Sequence, residues 1–240
     1  MESLILVHGY LGGSAQWAAQ VSAFSERCRV LTPDLPGFGN NAALQSPCTI
    51  NGYAEYVLEY AASQGADEYA LLGHSMGGMI VQEMVSAAPQ RIKKLILYGT
   101  GALGRLPGRF ETIEESARRI RADGVAATAK RISATWFMHP EQTAAACSNC
   151  AAIAVNASEQ AALAGLEAMQ NWSGEQNLPN ISCPALVIWG DGDRAYPWSQ
   201  PAKLWQNIPG ARLAVVPGCS HAVHLEKPDI FNALVLDFLG

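Results

Sequence analysis

Six short apolar runs recur along the chain with helix-like segments between them, and this alternation restricts the fold more than any other feature. The runs cover residues 4–7, 29–32, 69–72, 95–98, 185–189 and 213–216. Several are continuously apolar rather than alternating, as expected of strands covered on both faces. Helical patterns lie at 14–24, 51–64, 77–87, 197–206 and 228–238, where Asn51 and Pro228 suit helix starts and Gly65 a helix stop. Strands alternating with helices predict an α/β fold, a mostly parallel sheet between helix layers. At 240 residues the chain can bury such a core within one large domain.

One interval breaks the alternation. From about residue 103 to 180 no strand pattern occurs, while Ile113, Ala117 and Ile120, then Ile132, Thr135 and Trp136, repeat at helical spacing. Alanine dominates 143–168, which favours helix by propensity. Glycine and proline punctuate both ends, at Gly101, Gly104, Pro107 and Gly108 and again at Pro179 and Pro184. The expected organisation is a core of residues 1–102 and 181–240 with a helical cap inserted at 103–180.

Charge and apolar runs exclude other classes. A formal net charge of −5 without a basic stripe argues against a nucleic-acid partner. No window approaches the roughly 18 apolar residues of a membrane span. The start lacks the basic and long apolar regions of a secretion signal, so a cytoplasmic protein is expected. Six cysteines then read as reduced thiols. Cys147 and Cys150 form a C-x-x-C pair, but no second ligand pair stands nearby, so no metal site is expected.

The sharpest chemical signal is Gly73-His74-Ser75-Met76-Gly77-Gly78, placed between a strand pattern and a helix pattern. That context makes it a nucleophile elbow: a tight strand-to-helix turn that exposes the serine hydroxyl, with glycines that let strand and helix approach. Such a serine needs a base and a group that orients the base. The strand at 185–189 runs into Gly190-Asp191-Gly192-Asp193, and the strand at 213–216 into Pro217-Gly218-Cys219-Ser220-His221. Both turns fall at carboxyl ends of strands, the edge where open α/β sheets hold their sites. His221 is favoured as base over His224 because it follows strand and loop directly. His74 is read as packing and His8 as support for the site's loops. Oxyanion donors are expected from the backbone N–H of Met76 and of Tyr10, in the turn after the first strand.

Together, His8-Gly9-Tyr10, Asp34-Leu35-Pro36-Gly37-Phe38-Gly39, Gly73–Gly78, Gly190–Pro197 and His221–Pro228 resemble the α/β-hydrolase superfamily over nearly the whole chain. The resemblance is nearest to 3-oxoadipate enol-lactonases and single-domain esterases, through Ser75-Met76-Gly77-Gly78-Met79, the stretch ending in Thr135-Trp136-Phe137, and Cys150-Ala151-Ala152-Ile153. It implies that Asp193 rather than Asp191 is the acid, in a pattern similar to G-x-x-D-x-x-x-P from Gly190 to Pro197. It also implies a small-molecule ester or lactone as substrate, an acyl-enzyme on Ser75, and no cofactor. Trp136, Phe137, Tyr196 and Trp198 are candidate pocket walls. Arg105, Arg109, Arg118, Arg119, Arg121 and Arg131 lie in the cap, where one could meet a substrate carboxylate. Family members usually begin with a β-hairpin before the His-Gly turn; here about six parallel strands without that hairpin are expected. The alternatives are a cofactor-free lyase or dioxygenase, a carbon–carbon bond hydrolase, and a non-catalytic receptor on the same fold.

Overall fold

Each apolar run forms a strand: β1 (Ser3–Val7), β2 (Arg29–Leu31), β3 (Tyr69–His74), β4 (Ile92–Tyr98), β5 (Ala185–Gly190) and β6 (Arg212–Val216). The structure, a computed structural model, describes residues 1–106 and 111–240. The punctuation expected at Pro107 and Gly108, and the cap arginine Arg109, lie outside the described residues. Among the described residues the strands form one six-stranded sheet in the order β2-β1-β3-β4-β5-β6. Every neighbouring pair is parallel. This is the six-stranded parallel sheet expected from the sequence.

Strand side chains alternate between faces, and the core divides accordingly. Ile5, Val7, Leu71, Leu95, Leu97 and Val187 belong to one buried cluster, with Val57, Met79 and Met84 from the covering helices. Leu4, Leu6, Leu72, Ile96, Leu186 and Ile188 belong to the other, with Phe24, Phe231 and Phe238. Three of the helices that supply these layers are α1 (Ala18–Phe24), α2 (Ile50–Ser63) and α3 (Met76–Ala87), and Phe231 and Phe238 come from the C-terminal helix. A 3-10 turn, Ser14–Trp17, leads into α1. Thr49 caps α2 by accepting from Gly52 N at 3.1 Å, a contact worth about 1 kcal/mol.

Between β4 and β5 the chain is helical: α4 (Ile113–Ala134), α5 (Ala144–Ala154) and α6 (Glu159–Gln170). Gly124 interrupts α4 with φ 82° and ψ 165°, dividing it in two. Glu111, just ahead of α4, accepts from Ser116 in the first half and from Arg131 in the second, which ties the halves together. The segment leaves and rejoins the sheet at one place, where Leu103 and Ser173 form an antiparallel bridge. After β5 come α7 (Ser199–Asn207), α8 (Val223–Glu226) and α9 (Pro228–Leu239). Among the described residues no helix is long and apolar enough to cross a membrane.

Strand order reverses direction between β1 and β3. In open parallel sheets the crevice at the carboxyl ends of such a strand pair is where ligands bind. Here it receives the turn after β1 and the start of α3.

Candidate active site

β3 ends at His74, and the chain turns into α3 through Ser75 at φ 57° and ψ −120°. A non-glycine residue in that conformation costs on the order of 1–3 kcal/mol. The turn is held on both sides: Ser75 N donates to Tyr98 O at 3.0 Å, and Ser75 O accepts from Gly78 N at 2.9 Å. Thr100 Oγ1 adds a third bond to Ser75 O at 2.7 Å. The glycines of the motif are steric requirements. A Cβ on Gly73 would lie 2.4 Å from the Gly77 carbonyl, and one on Gly77 would lie 2.2 Å from Val7 O. Gly9 is equally constrained, since its Cβ would meet Ser75 Cβ at 2.9 Å.

The loop after β6 carries His221, whose Nδ1 lies 2.9 Å from Asp193 Oδ2. Both side chains are buried. The other oxygen, Asp193 Oδ1, accepts from Ala195 N at 2.8 Å and Tyr196 N at 3.0 Å. Because a carboxylate only accepts, Nδ1 of His221 carries the proton and Nε2 is the acceptor. Asp191 is used differently: its Oδ1 accepts from Gly218 N at 2.7 Å and braces the β6 loop.

Ser75 and His221 line one cleft, about 440 Å³ of empty space with its open mouth included. Tyr10, Trp136 and Tyr196 line it with them, as do Gly104, Leu106, Ile132, Met169 and Ala195. Among the described residues no direct hydrogen bond joins Ser75 Oγ to His221; bonds of this kind often tighten only when substrate is present. Of the four aromatic walls expected from the sequence, Trp136 and Tyr196 line the cleft. Phe137 is instead fully buried in the core. Trp198 stands 44 % exposed against Trp189, at 5.3 Å between ring centroids.

The two residues whose amides were expected as oxyanion donors lie at the start of α3 and in the turn after β1. Met76 opens α3, so its N–H has no partner within the helix. Tyr10 sits in a turn closed by Gly12 N donating to Gly9 O at 3.0 Å, with Leu11 at φ 57°. The Tyr10 hydroxyl donates to Ala162 O in α6 at 2.9 Å and so links this turn to the cap helices. His8 braces it from below: Nδ1–H donates to Gly9 O at 2.9 Å, and Nε2 accepts from Leu35 N at 3.0 Å. Asp34 ties the next loop, accepting from Ser14 N at 2.6 Å and Asn40 Nδ2 at 2.7 Å. Burial alone would raise its carboxyl pKa, but these bonds outweigh burial and lower it.

Behind His221 lies a stack of buried rings. Tyr196 packs on one face of the imidazole at 5.6 Å and 12°, and His74 lies against it at 4.5 Å. The carbonyl of His221 accepts from His74 Nε2 at 3.1 Å and from the Tyr98 hydroxyl at 2.8 Å. With its proton so used, Tyr98 accepts from His224 Nδ1 at 3.0 Å. His224 Nε2 has no partner among the described residues. Burial, then the nearby His221, pushes the His224 pKa down to about 3. Burial lowers His8 as well, and burial with the neighbouring imidazoles lowers His74 further.

These three imidazoles are neutral in the fold but protonate in the unfolded chain below pH ~6.5. The unfolded state then binds more protons, so stability is complete above that pH and declines as pH falls below it. Replacing His224 with glutamine should flatten urea-unfolding free energy against pH between about 5.5 and 4 by roughly 1.4 kcal/mol per pH unit. An unchanged slope would show that His224 does not titrate on unfolding.

The sequence profile of the alpha/beta hydrolase fold family matches residues 2–228. The chain belongs to the α/β-hydrolase fold family. It is 28 % identical to an enol-lactonase from Burkholderia xenovorans LB400, whose crystal structure superposes with a TM-score of 0.92 over 99 % of this chain and 91 % of that one. A RutD protein of Azorhizobium caulinodans, provisionally named a carbamate hydrolase, is 28 % identical over 246 residues, 99 % of this chain and 91 % of the relative. A 2-hydroxy-6-oxo-6-phenylhexa-2,4-dienoate hydrolase of Burkholderia cepacia is 27 % identical over 267 residues, 100 % of this chain and 88 % of the relative.

Two features of this α/β hydrolase's site escape sequence reading. The first is Glu226, whose carboxylate accepts from Ser220 N at 2.7 Å and from Met138 N at 2.6 Å. It joins the loop of His221 to the segment of Trp136, and Ala222 N donates to Trp136 O at 2.8 Å alongside it. The second is the set of aliphatic walls Leu106, Ile132 and Met169, which come from three places in the 103–180 segment. The C-x-x-C pair stands on α5 as free thiols. Cys150 is buried and pushed up to about 11 by that burial, so it is a poor nucleophile.

Proposed function

We propose that this α/β hydrolase is a serine hydrolase that cleaves a carboxylic ester or lactone of a small molecule through an acyl-enzyme. One observation carries the reading: a serine held in a strained elbow opens into the same cleft as a histidine whose Nδ1 is bound to a buried aspartate. In the proposed reaction Ser75 Oγ forms a bond to the substrate carbonyl carbon while its proton passes to His221 Nε2. The Met76 and Tyr10 amides hold the resulting oxyanion, each worth roughly 3–4 kcal/mol of barrier. The carbon–oxygen bond to the leaving group then breaks, and the leaving oxygen takes the proton from His221. In a lactone that hydroxyl stays attached to the acyl chain. Water, deprotonated by His221, adds to the acyl carbon and releases Ser75 with the acid product. Asp193 keeps the imidazole in its Nδ1–H form and stabilises the imidazolium. The helical segment 103–180 acts as a lid, its walls Trp136 and Leu106 excluding water from the acyl-enzyme.

A second reading, hydrolysis of a carbon–carbon bond beside a ketone, takes support from the Burkholderia cepacia relative. A covalent probe separates the two from a lyase or a receptor. Diethyl p-nitrophenyl phosphate should release about one equivalent of p-nitrophenol per chain, place a diethylphosphoryl group on the Ser75 peptide by mass spectrometry, and abolish turnover of p-nitrophenyl butyrate in proportion. Ester turnover that persists in fully labelled protein, or labelling confined to other residues, would end the serine-esterase reading.

A further inference from the structure

The walls of the cleft say which acyl groups it can hold. Its described lining contains no lysine, arginine, aspartate or glutamate; away from Ser75 and His221 the surface comes chiefly from Leu106, Ile132, Trp136, Met169, Tyr10 and Tyr196. Two of the described arginines beside these walls are already committed, and Arg194, next to the lining residue Ala195, is exposed and is not part of the lining. Arg131 adjoins Ile132 in sequence, yet its guanidinium bonds to Glu111, a side chain only 6 % exposed. Arg119 reaches the same carboxylate at 3.4 Å. Arg105 adjoins Leu106 and donates to Glu114 at 2.7 Å on the exposed surface. Glu111 thus uses two guanidiniums to clamp the divided helix α4, an architectural task that leaves neither for a substrate.

We infer that this site selects an uncharged, short acyl chain or lactone ring and rejects a substrate carrying a carboxylate near the reacting carbonyl. The inference rests on the serine-hydrolase reading and narrows it. A carboxylate entering the cleft would lose its water without gaining a cation, an uncompensated burial. It would also come close to two negative centres, the Asp193 carboxylate bound to His221 and the oxyanion forming on the substrate. Aliphatic walls offer the opposite to a propyl chain, whose methylenes gain by leaving water for an apolar surface.

Two esters of equal length test this: p-nitrophenyl butyrate, and mono-p-nitrophenyl succinate, in which a carboxylate replaces the terminal methyl. The kcat/KM of the butyrate should exceed that of the succinate by about 100-fold or more. Placing a cation in the wall, as Ile132→Arg or, on α6, Met169→Lys, should raise succinate relative to butyrate by about 10-fold or more. Circular dichroism and thermal melting show which of the two variants folds. A ratio near one, or a preference for succinate, with turnover still dependent on Ser75, overturns the inference and leaves the serine hydrolase standing. If that preference disappears in Arg109→Gln, the cation responsible is Arg109. No Ser75-dependent turnover of either ester overturns the hydrolase reading itself.

Discussion

Changing Ser75 to alanine is expected to lower kcat for p-nitrophenyl butyrate by roughly 10⁵–10⁶-fold while leaving the fold intact. The magnitude follows from removal of a triad nucleophile, after which only binding and oxyanion stabilisation remain. The fold should survive because the elbow is held by backbone groups and by Thr100 Oγ1, none of which uses the serine hydroxyl. Alanine keeps the Cβ that packs against Gly9 and tolerates φ near 57° about as well as serine does. Thermal unfolding should therefore shift by no more than a few degrees, so lost turnover reports chemistry. A variant retaining more than about a hundredth of parent activity would mean that the reacting nucleophile lies elsewhere.

The sheet and elbow were legible in the sequence because each depends on local pattern. Continuous apolar runs such as Leu71-Leu72 mark strands buried on both faces, and Gly73 and Gly77 mark a backbone approach that no side chain could survive. The walls of the cleft were less legible. Trp136 and Phe137 are adjacent and equally aromatic, yet one faces the cleft and the other the core. Their difference is set where Trp136 O meets Ala222 N, a contact spanning more than eighty residues that periodicity does not encode. Trp198 was misplaced for a related reason. It falls in the same turn as Tyr196, but packing on Trp189 turns it outward.

Glu226 shows the same limit from another side. Nothing local marks the glutamate before Lys227-Pro228, yet its two oxygens hold the backbones of Ser220 and Met138. Charge patterning accounts for only part of the pairing of the cap arginines. Glu114–Arg118 and Glu115–Arg119 both have i,i+4 spacing; the second pair forms, whereas Glu114 turns to Arg105 and Arg118 joins Glu115 instead. The partner that decides the function of Arg131 is Glu111, twenty residues away across the Gly124 break.

Asp193→Asn is expected to lower kcat by about 10⁴-fold, a smaller loss than removing the serine but a large one for a substitution that changes one oxygen to nitrogen. The geometry dictates which way the new amide must sit. Asp193 Oδ1 accepts from two backbone amides, Ala195 N and Tyr196 N. Asparagine can satisfy both only by keeping its oxygen there, which aims its NH₂ at His221 Nδ1. Two donors cannot face each other, so the imidazole must move its proton to Nε2 and present Nδ1 as acceptor. Nε2–H cannot receive the Ser75 proton, and the base is disabled without being displaced. Nitrogen-detected NMR of the imidazole should report the tautomer change directly, from Nδ1–H in the parent to Nε2–H in the variant. Asp191→Asn serves as the counterpart, since its oxygen needs only to accept from Gly218 N, which an amide oxygen does equally well. That variant should retain activity within about threefold. If Asp191→Asn were the more damaging change, or if Asp193→Asn kept the Nδ1–H tautomer and near-parent kcat, the assignment of Asp193 as the group that orients His221 would be wrong.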